Sequence, residues 1–273
     1  MKKLFILAIS LIAMTSVSAQ ESTDKKPAVA VDQMTYNSSV GSDWAKNLRN
    51  QIVTGILNTG RVEIVDVESI ANLPTAEAER LAGLKDANAE YVVKGHVNSM
   101  NKTRETKDGV THYRCRINYT LTLINLATGA TQESKSFDEN GYSTENETTS
   151  VTKAINAANT RMKRFVEECF KLRGLVKALD KVNPKKGVET IYITLGSNVG
   201  LQEGQPFDVF VETDIAGEII SKQIKGSVRA KEIVSGGLCL ATVHGKEAAL
   251  QIMNSFDSGK KVIVVSRPRF LEF

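Results

Sequence analysis

Histidine and cysteine are scarce in this chain, with three residues of each among 273. His96, His112 and His244 contain no pair with the close spacing of zinc ligands, such as HExxH. His112 and Cys115 lie three residues apart, so on a strand their side chains would point to opposite faces and could not form a local nucleophile–base pair. The sequence therefore predicts no catalytic, cofactor-binding or metal-binding residue, and a protein that is not an enzyme.

The three cysteines are odd in number and form no CxxC pattern. Cys115 and Cys239 fall on the apolar faces of predicted strands, which favours small buried hydrophobic residues over reactive thiols. A Cys115–Cys169 disulfide that links a sheet to its covering helix stays open as an alternative, because a sequence does not give the Cα separation that a bridge needs.

Phosphate and nucleic-acid binding are both disfavoured. Gly196, Gly200 and Gly204 are evenly spaced, but no Lys-Ser/Thr follows and no helix opens there, as a phosphate-binding loop would require. The net charge is +4, and it falls to +2 when Lys2 and Lys3 are removed with the leader described next. Such a balanced charge is not that of a nucleic-acid-binding protein.

The first 19 residues have the three parts of an export signal. Lys2 and Lys3 form a basic start, residues 4–14 an apolar run, and Val17-Ser18-Ala19 a cleavage site with small residues. The apolar run is shorter than the roughly 20 residues of a membrane span. We therefore predict a signal peptide at 1–19 and a periplasmic or secreted mature chain. Because no cysteine follows the apolar run, we expect no lipid anchor.

Residues 89–137 contain the clearest secondary-structure signal. The pattern alternates with period two, which is typical of a half-buried strand. Apolar side chains point one way at 113, 115, 117, 119, 121 and 123, and polar side chains the other way at 114, 116, 118, 120 and 122. A turn at residues 127–130 leads into a returning strand. The pattern predicts one sheet whose apolar face is covered by helices and whose polar face meets water or a partner.

The rest of the chain divides into two predicted domains, so the predicted fold class is α+β. Residues 27–173 alternate strands and helices and are predicted to form an α/β layered domain with a mixed sheet. This part includes a helix capped by Ser42, a strand at 61–67, a helix capped by Thr75, a loop at 143–150 and a long helix at 151–171. Residues 174–273 contain many short strands punctuated by glycine, and are predicted to form a small SH3-like β-barrel.

Four segments of the first domain resemble the CsgG-like family of envelope proteins, which is related to the N-terminal domain of TolB and to LpoB-type lipoproteins. They are AVAVDQM, DWAKNLRNQIVTGILNTGRVEIVD, AEYVVKGHV and INYTLTLINLATGAT. In the second domain, ITLGSNVGLQEGQPFDVFVE and GSVRAKEIVSGGLCLATV resemble the C-terminal SH3-like barrel of FlgT-type proteins, although Gln205 stands where that family usually has Asp. The resemblance implies a role in envelope assembly or scaffolding and implies no reaction.

Three functions remain in competition. The first is a non-enzymatic protein that binds other envelope proteins, with a homo-oligomer as an open possibility. The second is a secretion pore, which we reject, because the candidate membrane strands at 101–111 and 138–150 are polar and a charge on the lipid face costs roughly 2–4 kcal/mol. The third is a periplasmic small-ligand binder or hydrolase whose site residues converge only in space.

The expected interaction surface lies on the sheet and its connections, around residues 94–116 and 137–150. Arg104, Glu105, Lys107 and Asp108 form a charged segment between two predicted strands. Because loops on rigid scaffolds commonly carry function, these four residues are the predicted protein-interaction loop. The alternative is an ordinary solvated hairpin tip.

Overall fold

The computed structural model describes residues 25–269, so the predicted signal peptide lies outside the described residues. The α+β class is confirmed: a mixed sheet with helices is followed by a closed six-stranded antiparallel barrel. The first hydrophobic core extends to Phe170, and the barrel core begins at Leu172. Among the helices of this range, none combines the length and the apolar content that crossing a membrane requires.

The first part contains six strands and three helices. The strands are β1 (Ala28–Val31), β2 (Thr35–Tyr36), β3 (Glu63–Val65), β4 (Tyr91–Lys107), β5 (Val110–Asn125) and β6 (Thr131–Ser143). The helices are α1 (Ser42–Leu57), α2 (Glu77–Asp86) and α3 (Glu147–Cys169). The sheet order is β3-β1-β4-β5-β6, with β2 also beside β4. Strand β1 runs parallel to β3 and β4, whereas β4, β5 and β6 are antiparallel, which makes the sheet mixed.

Helices α1 and α3 cover one face of this sheet because their apolar residues recur at helical spacing. The buried stripes contain Leu48, Ile52 and Ile56 on α1 and Met162 and Phe165 on α3. These side chains join the apolar face of β5 in one core, as the alternating pattern predicts. The two helices approach closely at Gly55, where an added Cβ would lie 2.5 Å from the carbonyl oxygen of Asn159.

Helix α2 covers only a corner of the other face. Its Leu84 packs with Ala30 of β1 and Val92 of β4 in a small separate core. Further along β4, β5 and β6, no helix among residues 25–269 contributes to a core on this side. A large part of one sheet face is therefore left exposed.

Strand β6 forms an edge of the sheet, and α3 packs against it. At Gly141 an added Cβ would lie 1.8 Å from the carbonyl oxygen of Ser150, so only glycine fits. Three charged residues on β6 point toward the helices rather than to solvent, opposite apolar residues of β5: Glu133, Lys135 and Glu139. Lys135 pairs with Glu168, and Glu139 lies 3.5 Å from Arg161.

The second part is the closed barrel with one α-helix and a short 3₁₀ turn at Ser197–Val199. Its strands are β7 (Arg173–Asn183), β8 (Gly187–Ile193), β9 (Pro206–Ile215), β10 (Glu218–Ser235), β11 (Leu238–His244) and β12 (Lys261–Ser266), in the closed order β10-β11-β8-β7-β12-β9. Helix α4 (Lys246–Asp257) contributes Ala248 and Ile252 to the barrel core. Gly200, with φ +72°, ends the short 3₁₀ turn Ser197–Val199.

Buried polar side chains join the two parts. Arg61 is 3% exposed, and it donates to the carbonyl oxygen of Phe170 at 3.1 Å and to Oε1 of Gln205 at 2.6 Å. Glu167 is 1% exposed and accepts hydrogen bonds from the backbone N–H and the guanidinium of Arg269. Nearby, an added Cβ at Gly200 would lie 2.2 Å from the carbonyl oxygen of Gly60. The barrel thus contacts the first part through a buried, hydrogen-bonded interface.

Several predicted boundaries are wrong in detail. Ser42 is the first helical residue rather than the cap, because Gly41, with φ +83°, precedes the helix. Likewise Ala76, not Thr75, precedes α2, and no side chain caps it. The strand predicted at 61–67 is only β3, because the Asp66 side chain accepts a hydrogen bond from the N–H of Glu68 and starts a short 3₁₀ helix. The loop predicted at 143–150 is partly helical, because α3 begins at Glu147 with Asn146 as its cap.

All three cysteines are free, so the alternative disulfide does not form. Cys115 and Cys239 are buried, as predicted, and Cys169 is half-buried. Burial raises the pKa of the Cys115 thiol to about 11 and that of Cys169 to about 12. The thiols are therefore protonated at neutral pH and behave as hydrophobic side chains.

Candidate functional site

The exposed sheet surface left by α2 is the candidate functional site. We call it the open face. It is formed by the outward side chains of β4 (Lys94, His96, Asn98, Asn101, Thr103, Glu105 and Lys107), β5 (His112, Arg114, Arg116, Asn118, Thr120 and Thr122) and β6 (Ser134, Ser136, Asp138, Asn140 and Tyr142). All of these side chains are polar or charged, and Val110, beside the hairpin turn, is an exposed apolar residue on the same face. The alternation of β5 predicted this polar surface.

Hydroxyl pairs hold one end of the open face. The Thr122 and Ser134 side chains are hydrogen-bonded at 3.1 Å, and Thr120 and Ser136 at 3.0 Å. Each pair joins β5 to β6 directly across the strands. Cross-strand hydroxyl pairs of this kind stabilise a sheet, and they also fix the side-chain rotamers.

An amide–carboxylate chain crosses the middle of the open face. The Asn98 amide donates to Oδ1 of Asn118 at 2.6 Å, and Asn118 donates to Oδ1 of Asp138 at 3.1 Å. Arg116 also donates to Asp138 at 3.1 Å. The hydrogen bonds from Arg116 and Asn118 lower the pKa of Asp138, so its carboxylate is charged at neutral pH. The middle of the open face is thus ordered before any partner binds.

Arg114 differs from Arg116 on the same strand, because it makes no hydrogen bond or ion pair within the part of the chain that the structure describes. It faces Thr103 on one side and Tyr142 on the other. Together with Asn101, Arg116 and Asn140, these residues line an open concavity of about 510 Å³. The hydroxyl of Tyr142 is hydrogen-bonded to Nδ1 of His112, and the two rings stack with centroids 5.7 Å apart.

The predicted interaction loop is a strand hairpin rather than a loop. Arg104, Glu105 and Lys107 belong to β4, whose polar end pairs with β5 up to Lys107 and Val110. Asp108 and Gly109 form the turn, with φ +52° and +76°. These values match a two-residue type I′ hairpin turn, which requires positive φ at both positions.

The hairpin separates the four predicted residues by direction. Glu105 and Lys107 lie on the open face, whereas Arg104 points to the opposite side, where its guanidinium lies 5.7 Å from the ring centroid of Tyr113. Asp108 is at the tip. The structure therefore brings two of the four residues into the open face and leaves the other two outside it. Their role in binding stays a prediction.

His96 and His112 each contact a neighbouring side chain, and the two do not meet in one site. His96 Nδ1 is hydrogen-bonded to the Thr35 hydroxyl at 2.8 Å, and His112 stacks on Tyr142. In residues 25–269 no three His, Cys, Asp or Glu side chains lie together in a way that could hold a metal ion.

The surface predicted from the sequence overlaps the open face, but the prediction did not single out Asp138, Asn140 and Tyr142. These residues lie in the second half of β6, and the sequence predicts that the strand ends at Phe137. The polar residues of that half suggest a loop, but their pairing with β5 gives them a strand conformation. One signal for a strand was present in the sequence. Residues of one face, Phe137, Glu139 and Gly141, alternate with those of the other, Asp138, Asn140 and Tyr142.

Comparisons with known proteins give likeness of structure only. No protein-family model matches the chain, and no curated protein matches it. The chain is similar to the PelC dodecamer from Paraburkholderia phytofirmans, with 16% identity over 50% of this chain and 87% of that chain and a TM-score of 0.36. It is also similar to the LpoB C-terminal domain from Salmonella enterica, with 12% identity over 43% of this chain and 85% of that chain and a TM-score of 0.31.

A third similar structure is lipoprotein GNA1162 from Neisseria meningitidis, with 11% identity over 50% of this chain and 97% of that chain and a TM-score of 0.37. An LpoB domain, one of the relatives named from the sequence, is thus among the similar structures. The CsgG-like and FlgT-type assignments stay predictions.

Proposed function

We propose that this chain is an exported, non-enzymatic protein of the bacterial cell envelope that binds another envelope protein through the open face. One observation carries the proposal. Three long strands, β4, β5 and β6, present a polar surface that is already hydrogen-bonded within itself and that no described helix covers. The export signal and the resemblance to CsgG-like and LpoB-type envelope proteins support the location and an assembly or scaffolding role.

The order of the open face favours binding of a macromolecule. Association costs about 0.5–1.5 kcal/mol for each rotamer-rich side chain that it immobilises. Asn98, Asn118 and Arg116 are held by hydrogen bonds before a partner arrives, so much of this cost is met during folding. Arginine and tyrosine, which are enriched at protein interfaces, are both present.

A periplasmic small-ligand binder or hydrolase is the second candidate. The concavity beside Arg114 favours it, because its volume of about 510 Å³ falls in the range of ligand pockets. Most of its lining residues, however, lie on one exposed sheet surface, whereas ligand pockets usually enclose most of the ligand. We therefore rank protein binding first.

Site-specific photo-crosslinking in the envelope tests the proposal. A crosslinking amino acid replaces Ser136 or Tyr142 on the open face, and control variants carry it at Lys46 or Asn47 on the exposed side of α1. We expect a discrete crosslinked band at the two open-face positions and none at the two α1 positions. A band of twice the chain's mass would identify the partner as a second copy. Equal labelling at all four positions, or none at the open face, would contradict the proposal.

A further inference from the structure

Arg114 combines three properties that no other described residue of the open face shares. It is charged, it is exposed on the central strand, and none of residues 25–269 pairs with its guanidinium. Arg116, two positions along β5, is bound to Asp138 instead. An arginine left unpaired in a concavity presents a rigid fork of N–H donors that matches a planar acid.

We propose that this concavity binds a carboxylate group, and that an acidic segment of the partner protein supplies it. The inference rests on the proposed function and names the chemistry of the partner at that surface. The Arg114 guanidinium donates hydrogen bonds to both oxygens of the carboxylate. Asn101 and Asn140, in the adjacent row of the sheet and about 7 Å along the strands, offer amide donors to the same group or to its neighbour.

The charges around Arg114 favour a carboxylate over a phosphate. The charge of Arg116 is balanced by the ionised Asp138, so it adds little net positive potential. Glu105 lies on the same surface, diagonal to Arg114. One free guanidinium can neutralise a single negative charge, but a phosphate near neutral pH carries between about 1.5 and 2. The second charge of a phosphate would face Glu105 without a free cation of its own.

The aromatic arrangement favours a polypeptide over an acidic sugar. Tyr142 is the aromatic side chain in the concavity, and His112 stacks against its ring. The hydroxyl of Tyr142 is bound to His112 as well. With one ring face occupied, Tyr142 offers less of the flat surface on which a sugar ring would stack. A peptide needs no such surface, because its acidic side chain reaches Arg114 directly.

Fluorescence anisotropy with a labelled hexaglutamate peptide tests the inference on the full mature chain. The test variant is Arg114→Gln, and the matched control is Arg229→Gln, which removes the same charge from another exposed arginine on a strand, β10. Hexaglutamine, a phosphoserine peptide and an oligogalacturonate serve as comparison ligands. Thermal unfolding of each variant checks the fold, which we expect to be unchanged because the Arg114 side chain has no described hydrogen bond or ion pair.

We expect hexaglutamate to bind the wild type and the Arg229→Gln chain equally, and the Arg114→Gln chain about 10-fold or more weakly. Affinity should fall as salt rises, because the contact is exposed, and hexaglutamine should not bind. The inference is overturned by no binding of hexaglutamate to the wild type, or by equal losses in the two variants. Tighter binding of the phosphoserine peptide would overturn the preference for a carboxylate. Equal Arg114-dependent binding of oligogalacturonate would overturn the acidic segment as the occupant.

The crosslinking experiment separates failure of this inference from failure of the proposed function. If crosslinks at Ser136 persist in the Arg114→Gln chain and hexaglutamate does not bind, the carboxylate site is wrong and the open face still binds a protein. If the wild type gives no crosslinks at the open face, the proposed function is wrong, whatever the peptide does.

Discussion

Replacing Glu167 by glutamine should destabilise the protein strongly, because Glu167 neutralises two arginines in the interface between the sheet and the barrel. Its side chain is 2% exposed, and it lies 2.6 Å from Arg269 and 3.9 Å from Arg61. Burial lowers the pKa of Arg61 to about 10, and the charge of Glu167 opposes that effect. Glutamine would keep an oxygen acceptor but leave both guanidiniums without a counter-charge.

The size of this effect follows from the burial of the charges that remain. Removing one member of a buried ion pair costs about 3–5 kcal/mol. Arg61 would keep two oxygen acceptors, Phe170 and Gln205, so we expect about 3 kcal/mol. Arg269 is partly exposed and can turn toward water, which also favours the lower value.

The neighbouring residue Glu168 provides a matched control on the same helix turn. It pairs with Lys135 and Arg164 near the surface, and its side chain is 23% exposed. Glu168→Gln should therefore cost no more than about 1 kcal/mol. Urea unfolding measures both variants, with Trp44, the single tryptophan, reporting on the first part and circular dichroism on the whole chain. A Glu167→Gln chain within about 0.5 kcal/mol of the control would refute the reasoning.

Three further predictions concern buried groups and the barrel. Burial raises the pKa of Glu139, so the native chain binds this proton more tightly than the unfolded chain, and stability is lost as pH rises above the ordinary value of 4.5. Glu139→Gln should stabilise the protein at pH 7 on the order of 1 kcal/mol, and by less at pH 5, in urea unfolding; a less stable variant at pH 7 would contradict this. Thiol titration should count three free thiols in the unfolded chain and no reaction of Cys115 or Cys239 in the native chain, whereas one thiol after unfolding would indicate a Cys115–Cys169 bridge. Residues 174–273 alone should give dispersed amide signals by NMR, but with lower stability than in the full chain, because the interface partners are missing; an unfolded spectrum would show that the barrel depends on the first part.

The sequence predicts structure well where one side of an element is buried. Strand β5 alternates apolar and polar residues because α1 and α3 cover one of its faces, and that alternation identified the strand, its register of burial and the polar surface. The stripes of α1 and α3 are equally clear for the same reason. The periodic spacing of apolar residues is a strong signal of secondary structure only where one face of the element is buried in a core.

The polar ends of β4 and β6 could not be predicted by the same reasoning. From Asn101 to Lys107, β4 extends past the helices, so both faces are polar and no period marks a strand. Pairing with β5 fixes its conformation instead. The Asp108–Gly109 pair was the local signal for a two-residue hairpin, and it would have joined the two strands directly. Reading these residues as a loop overlooked that turn.

The interface residues lie still further from sequence reasoning. Arg61 contacts Phe170 and Gln205, which follow it in the chain by 109 and 144 positions. Neither local propensity nor periodicity relates such distant residues, because tertiary packing alone brings them together. That Arg114 is unpaired is likewise a property of the assembled sheet, because Arg116 on the same strand is paired with Asp138.

The charged residues that β6 turns toward α3 have a consequence for how copies of this chain behave at high concentration. An open strand edge is a template on which further strands can add, and long regular edges therefore promote aggregation. Glu133, Lys135 and Glu139 counter this hazard, because a strand that extended the sheet would have to place its own side chains beside these charges. Of the three, Lys135 and Glu139 are paired with residues of α3. We therefore expect resistance to edge-to-edge aggregation to depend on the direction of these three side chains, which a simple count of surface charge would not reveal.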